Sequence, residues 1–185
     1  MNLNTVKKTR HAVLGILLFG SANLVYAQTT TKPTKEKETV VTQQTNPSIE
    51  ELKKQIAENP QNGEALVKLA TAYQDNKDWT NALETWKKVT TILPEWAPAY
   101  YSQGYVFQST KDNVNAQTSY EKYISLVKPE EVEANKKSLA YAHLFIAYTN
   151  FETNKDLAKQ HIAKSLEYDP ANEDAIKLNK ALNPS

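Results

Sequence analysis

The chain has 185 residues, four of them glycine and none cysteine, and a formal net charge of +1. That length suits one folded domain with appendages, and the missing cysteines exclude a disulfide framework, a thiol nucleophile and cysteine metal sites. Three of the positive charges (Lys7, Lys8, Arg10) lie in an N-terminal stretch without acids, so the rest carries −2 (+1 less three) and lacks the basic balance that phosphate binding needs; no nucleic-acid partner is expected.

Residues 1–27 have the form of a secretory signal peptide: a basic head, an apolar stretch over 12–25, and small residues at Val25 and Ala27 placed for a cut after Ala27. The apolar stretch is interrupted by Gly15, Gly20, Ser21 and Asn23, and it is short beside the about 20 residues of a bilayer span. An uncleaved anchor is the alternative. Cleavage would leave a chain that starts at Gln28, has no membrane span, and works in the bacterial periplasm or outside the cell. Residues 28–47 are rich in Thr, Lys, Glu and Gln with only Val40 and Val41 apolar, and they read as a disordered linker, either a passive spacer or a tether.

Order begins at Ser48. Ser48 and Glu51 are spaced as a capping box for a helix over 49–58, whose Leu52 and Ile56 share a face and whose end is marked by Asn59-Pro60. Leu66, Leu69, Ala70 and Tyr73 form one apolar face at helical spacing over 63–75. After a polar break, Ala82, Trp86, Val89 and Leu93 form a second over 80–93, and Pro94 stops it. The pattern returns 34 residues later, with helices expected over 97–110 and 114–127 carrying Tyr100, Gln103, Gly104, Phe107, Ala116, Tyr120 and Tyr123. A third copy ends in Ala158, Ile162, Ser165, Leu166 and Pro170. Ala82, Ala116 and Ala158 each follow a candidate N-cap (Asp78, Asp112, Asn154) by four residues. The step from Ala116 to Ala158 is 42, eight more than one period. The extra residues over 128–138 either lengthen the first helix of the third copy, which would begin near Glu130, or form a surface loop; Pro129 and the acids behind it favour the helix. A last helix over 172–182 turns Ala175, Leu178 and Leu182 inward.

With Leu69, Ala70, Tyr73, Ala82, Trp86 and Pro94 in its signature places, the stretch 63–96 resembles a tetratricopeptide repeat. The second copy keeps Gly104, Phe107, Ala116 and Tyr120. The third fits through Tyr141, Leu144, Phe145 and Tyr148 if one extra residue is allowed in its turn. The resemblance implies an all-α, right-handed superhelical solenoid of antiparallel helix pairs over 48–185. Its repeats would be about 63–96, 97–130 and 139–171, with capping helices at both ends.

No HExxH, GxSxG or glycine-rich phosphate motif is present. His143 and His161 read as ordinary helix-surface residues, Trp86 as core, Trp79 as a turn aromatic and Trp96 as packing between repeats. No catalytic residue, cofactor or metal is expected. By the resemblance, the first helices line a concave groove through Val67, Thr71 and Gln74, then Tyr101, Tyr105 and Gln108, then Ala142, Ile146 and Asn150. That mixture of aromatics and amides suits a peptide or a partner helix. The subfamily that grips acidic chaperone C-termini uses a clamp of Lys, Asn and Arg. Here its places hold Val67, Thr71, Ser102, Leu139 and His143, so that ligand is not expected. The resulting expectation is a non-catalytic periplasmic scaffold or adaptor for an envelope assembly. The alternatives are an accessory or cell-wall-binding domain beside an envelope enzyme, or a secreted host-contact protein. The oligomeric state is left open.

Overall fold

The computed structural model describes residues 47–184. The expected leader over 1–27 and the linker over 28–47, Pro47 excepted, lie outside the described residues. Eight helices follow one another: α1 Ile49–Glu58, α2 Gly63–Asp75, α3 Trp79–Ile92, α4 Ala97–Ser109, α5 Asn113–Leu126, α6 Val132–Asn150, α7 Lys155–Tyr168 and α8 Glu173–Leu182. They build the right-handed superhelical solenoid of antiparallel pairs, α2/α3, α4/α5 and α6/α7, with α1 and α8 closing the ends. Among the described residues no helix is long and apolar enough to cross a membrane.

Local chemistry sets the helix ends. Ser48 accepts from the Glu51 backbone N–H while Glu51 accepts from the Ser48 N–H at 2.7 Å, closing the capping box. Asn62, Asp78, Asp112, Asn154 and Asn172 each accept from the backbone N–H three residues on, starting α2, α3, α5, α7 and α8. The turns after α2 and α4 are one motif used twice. Lys77 and Lys111 take left-handed backbone (φ 58° and 63°). The N–H of Lys77 donates to Gln74 and that of Asp78 to Tyr73; Lys111 donates to Gln108 and Asp112 to Phe107. This is the Schellman pattern, and its last residue is already the N-cap of the next helix. The residues 128–138 form a short 3-10 turn, Pro129–Glu131, and then the opening of α6, which at 19 residues is longer than α2 or α4 at 13.

The interior of each pair follows the 34-residue period. Ala82, Ala116 and Ala158 are all 0 % exposed and let the second helix approach the first. Opposite them the first two repeats pair a small residue with a large ring, Ala70 with Trp86 and Gly104 with Tyr120. A Cβ on Gly104 would stand 2.8 Å from the Tyr120 ring, so no larger residue fits without displacing it. The third repeat has Ala147 and Ile162 at these places, both fully buried, while Ile146 packs on the second repeat.

That packing corrects the expected register of the third repeat. Ala147 packs with Ala158 and Ile162 and precedes Ala158 by 11 residues, where Gly104 precedes Ala116 by 12, so the turn is one residue shorter rather than one longer. The inward set is Ala142, Phe145 and Ile146, while Tyr148, expected in an aromatic slot, stands 69 % exposed. One residue of register rotates a helix by about 100°. Two expected groove residues, Ile146 and Ala142, are thereby moved from the groove into the core.

Among the described residues every ion pair joins side chains of one helix and is solvent-exposed. Such pairs contribute little. The stack is held instead by apolar contact and by hydrogen bonds between helices, such as Gln103 Nε2 to Thr90 Oγ1 and Tyr123 OH to Asn135 Oδ1, both 3.2 Å.

Candidate functional site

The expected groove residues separate into buried connectors and surface. Gln74 and Gln108 are equivalent by period, Asn150 lies near the same end of its helix, and each is engaged inside the fold. Gln74 Oε1 accepts from the Trp86 indole N–H at 3.2 Å. Gln108 Oε1 accepts from Tyr120 OH at 3.0 Å, and its Nε2 donates to Tyr141 OH at 2.7 Å. Asn150 donates to Gln117 Oε1 at 3.0 Å and to the Ile146 carbonyl at 2.8 Å. In the first two repeats the amide satisfies the polar tip of the ring that fills the core. The third repeat has Ile162 in place of that ring, and its amide turns to the neighbouring repeat.

Tyr101 is also a connector. Its ring meets Tyr120, Tyr123 and Tyr141 edge-on at centroid distances of 5.5, 5.1 and 6.3 Å. Burial, reinforced by the Tyr141 hydroxyl, pushes its phenol up to about 12. The same burial raises Tyr120 and Tyr123. Five rings (Tyr101, Tyr120, Tyr123, Tyr141 and Phe145) therefore weld the second repeat to the third.

Tyr105, Thr71 and Val67 remain as accessible surface. Tyr105 is 41 % exposed, and its ring stands edge-on to Trp79, centroids 6.2 Å apart. Trp79 is half-buried at the start of α3, and Val67 and Thr71 are half-buried on α2. The arrangement offers two rings at the junction of the first and second repeats, flanked by a hydroxyl and a methyl-bearing side chain. Sequence reasoning placed Tyr105 on this surface and missed Trp79. The signal was available: Trp79 and Tyr105 flank the junction, and a turn tryptophan has one face without a partner inside its own repeat.

A second correction concerns the histidines. His143 is 6 % exposed, not at the helix surface, and its Nδ1 lies 2.9 Å from Nδ1 of His161. Tyr168 stacks on His143 at 5.8 Å. Burial above all, and then His161 beside it, brings His143 down to about 4, and burial also lowers His161. Neither ring has a carboxylate bonded to it, and among the described residues no group of three or more His, Asp or Glu is placed to hold a metal. Each buried side-chain nitrogen or oxygen of the described residues has a partner.

Residues 64–95 and residues 97–126 each match a family model described as tetratricopeptide repeat. No curated protein matches the sequence. Among solved structures, the C-terminal part of a TPR repeat-containing protein from Cytophaga hutchinsonii is similar at 26 % identity and a TM-score of 0.62, over 70 % of this chain and 52 % of that one. This chain thus spans about half of that structure's length. A MamA protein structure is similar at 22 % identity and a TM-score of 0.59, over 72 % of this chain and 69 % of that one. The first TPR of Spaghetti bound to an HSP90 peptide is similar at 14 % identity and a TM-score of 0.50, over 66 % of this chain and 90 % of that one. At these identities the last two share the fold with this chain.

Proposed function

Because the chain belongs to the tetratricopeptide repeat family, whose members generally serve as non-catalytic repeat scaffolds, we propose that it is an exported adaptor that holds a protein or peptide of an envelope assembly. The contact surface in this reading is the Trp79–Tyr105 edge with Val67 and Thr71. The observation that carries it is Tyr105, a large aromatic 41 % exposed beside a half-buried tryptophan in a fold whose other rings at that junction are packed. Rings held in place by their own scaffold lose little entropy on binding and favour a partner with an apolar anchor. The exported location rests on the leader over 1–27 with its small residues before Gln28.

The acidic chaperone peptide bound to Spaghetti does not suit this surface. In the observed register the clamp places hold Val67, Thr71, Ser102, Tyr141 and Phe145, none of them basic, so no positive charge meets a C-terminal carboxylate.

The test is a crosslinking capture from an envelope extract, using the chain from Gln28 onward and a Tyr105→Ala, Thr71→Arg variant. Tyr101 is left intact, because its ring belongs to the core. A partner bound by the parent and lost from a variant with unchanged circular dichroism supports the adaptor surface. Equal capture by both moves the binding face elsewhere. Intact mass of the protein recovered from cells tests export separately: a chain beginning at Gln28 is expected, and an uncut leader in the cytosolic fraction would refute it.

A further inference from the structure

The third repeat carries a titratable pair where the other two carry none. In the observed packing His143 takes the place of Tyr100 and Leu66, while His161 takes that of Ser119 and Thr85. Thr85 and Ser119 are buried and spend their hydroxyls on their own helix, bonding to the Asn81 and Asn115 carbonyls at 2.7 and 2.8 Å. Neither depends on the first helix of its repeat or on pH. His161 has no such bond. Its Nδ1 reaches across from α7 to Nδ1 of His143 on α6 at 2.9 Å.

Two imidazole nitrogens at that distance need a proton between them: one must donate and the other accept. The contact survives with both rings neutral, or with a single cation donating to its neutral neighbour. It does not survive two cations, because both nitrogens then carry hydrogens and like charges face each other inside the fold. Few neighbours oppose this. Glu121 from α5 acts favourably on a charged His161, and Glu167 on α7 on a charged His143, while Lys164 on α7 acts against it. Glu167 is itself engaged by Lys164 at 2.7 Å, and Tyr168 contributes a stacked ring.

We propose that the His143–His161 contact is a proton-operated latch, which holds α7 on α6 at neutral pH and releases α7 and α8 on acidification ahead of the first two repeats. The sign follows from the direction of both shifts. Histidines whose folded values lie below the ordinary 6.5 favour the folded state above that value, and the benefit is lost as pH falls from about 6.5 toward the about 4 of His143. The released segment is the end of the stack, where α8 covers Ala147, Ala158 and Ile162 through Ala175 and Leu182. Opening there uncovers an apolar face without breaking the Tyr101 ring cluster. This inference is independent of the adaptor surface, which lies at the other junction.

Backbone amide NMR of the whole chain from pH 7 to 4 tests it, with tryptophan fluorescence as an internal reference. Trp79 and Trp86 lie in the first repeat, and Trp96 packs against its core. Amides of α7 and α8 should lose their folded signals at a higher pH than that of the fluorescence change. His161→Ser reproduces the second repeat's residue, and the His143→Leu, His161→Thr double variant reproduces the first repeat's pair. In either, the early step should merge with the fluorescence change. A parent that loses all its helices in one step overturns the latch, and so does an early step that persists at the same pH in both variants. If neither variant folds at neutral pH, the pair is a structural contact only and the proposal fails.

Discussion

The first and third repeats solve one packing problem in opposite ways. Both set an alanine, Ala82 or Ala158, where the second helix crosses the first. In the first repeat the facing space is filled by Trp86 from the second helix over the small Ala70. In the third, Ala147 on the first helix faces the branched, mid-sized Ile162 on the second, and Phe151 packs against them. The aromatic solution brings a polar atom into the core and therefore requires Gln74 to receive the indole N–H. The aliphatic solution requires no acceptor, and Asn150 bonds to Gln117 of the preceding repeat. In the first two repeats the amide thus follows from the ring filling the core twelve places later, and a change at one reallocates the other.

The strongest way to break the comparison is to empty the space. Trp86→Ala should cost about 3–5 kcal/mol, and Ile162→Ala about 2–5 kcal/mol with a value nearer the lower end. The tryptophan variant also leaves Gln74 without its donor, so Trp86→Phe should cost more than the lost area alone accounts for, and a following Gln74→Leu should recover part of it. Urea unfolding by circular dichroism measures all of these. Equal losses for Trp86→Ala and Ile162→Ala would mean that the ring is not the larger anchor.

A smaller effect sharpens the same point. In an isolated helix Gly104→Ala stabilises by about 1 kcal/mol. Here the new methyl would lie 2.8 Å from a ring that is itself fully buried and hydrogen-bonded through its hydroxyl. A net loss of about 1–2 kcal/mol is expected. The equivalent residue of the first repeat is already alanine, so a stabilised Gly104→Ala would show that the second repeat has the first one's spacing.

Most of this architecture was legible in the residues. The 34-residue step, the acidic or amide N-caps and the prolines mark the helix ends because each has a local mechanism that tertiary packing does not override. The third repeat was misread for an equally physical reason. Its first helix is apolar on nearly every side from Leu139 to Ala147, so periodicity does not reveal its phase. Tyr141 and Tyr148 looked like motif aromatics, and the counterpart of Gly104 is Ala147, which a fixed count back from Ala158 misses by one residue because the turn is shorter. The site was less legible than the fold: the same tyrosine or glutamine is a groove residue or a core connector according to what faces it from another helix, which spacing alone does not disclose. Tyr101 and Gln108 went to the core in this way, and His143 and His161 met.

The smallest expected effect comes from the turns. Lys77 and Lys111 hold left-handed backbone at the position where a Schellman ending ordinarily has glycine. For a residue with a Cβ that conformation costs about 1 kcal/mol. Lys111→Gly removes this strain and adds some entropy to the unfolded chain, which works against the gain. A net stabilisation of about 0.5 kcal/mol is expected, readable as a small rise in the urea midpoint at unchanged slope. The third repeat supplies the control. Its turn closes through the Asn154 N–H to the Asn150 carbonyl at 2.8 Å, and Thr153, at the equivalent place, is not in the left-handed region. Thr153→Gly should therefore destabilise, because it adds unfolded-state freedom and relieves nothing. Opposite signs at two places that the period makes equivalent would separate a conformational cause from a general effect of glycine in a loop. The same sign at both would remove the distinction between the turns.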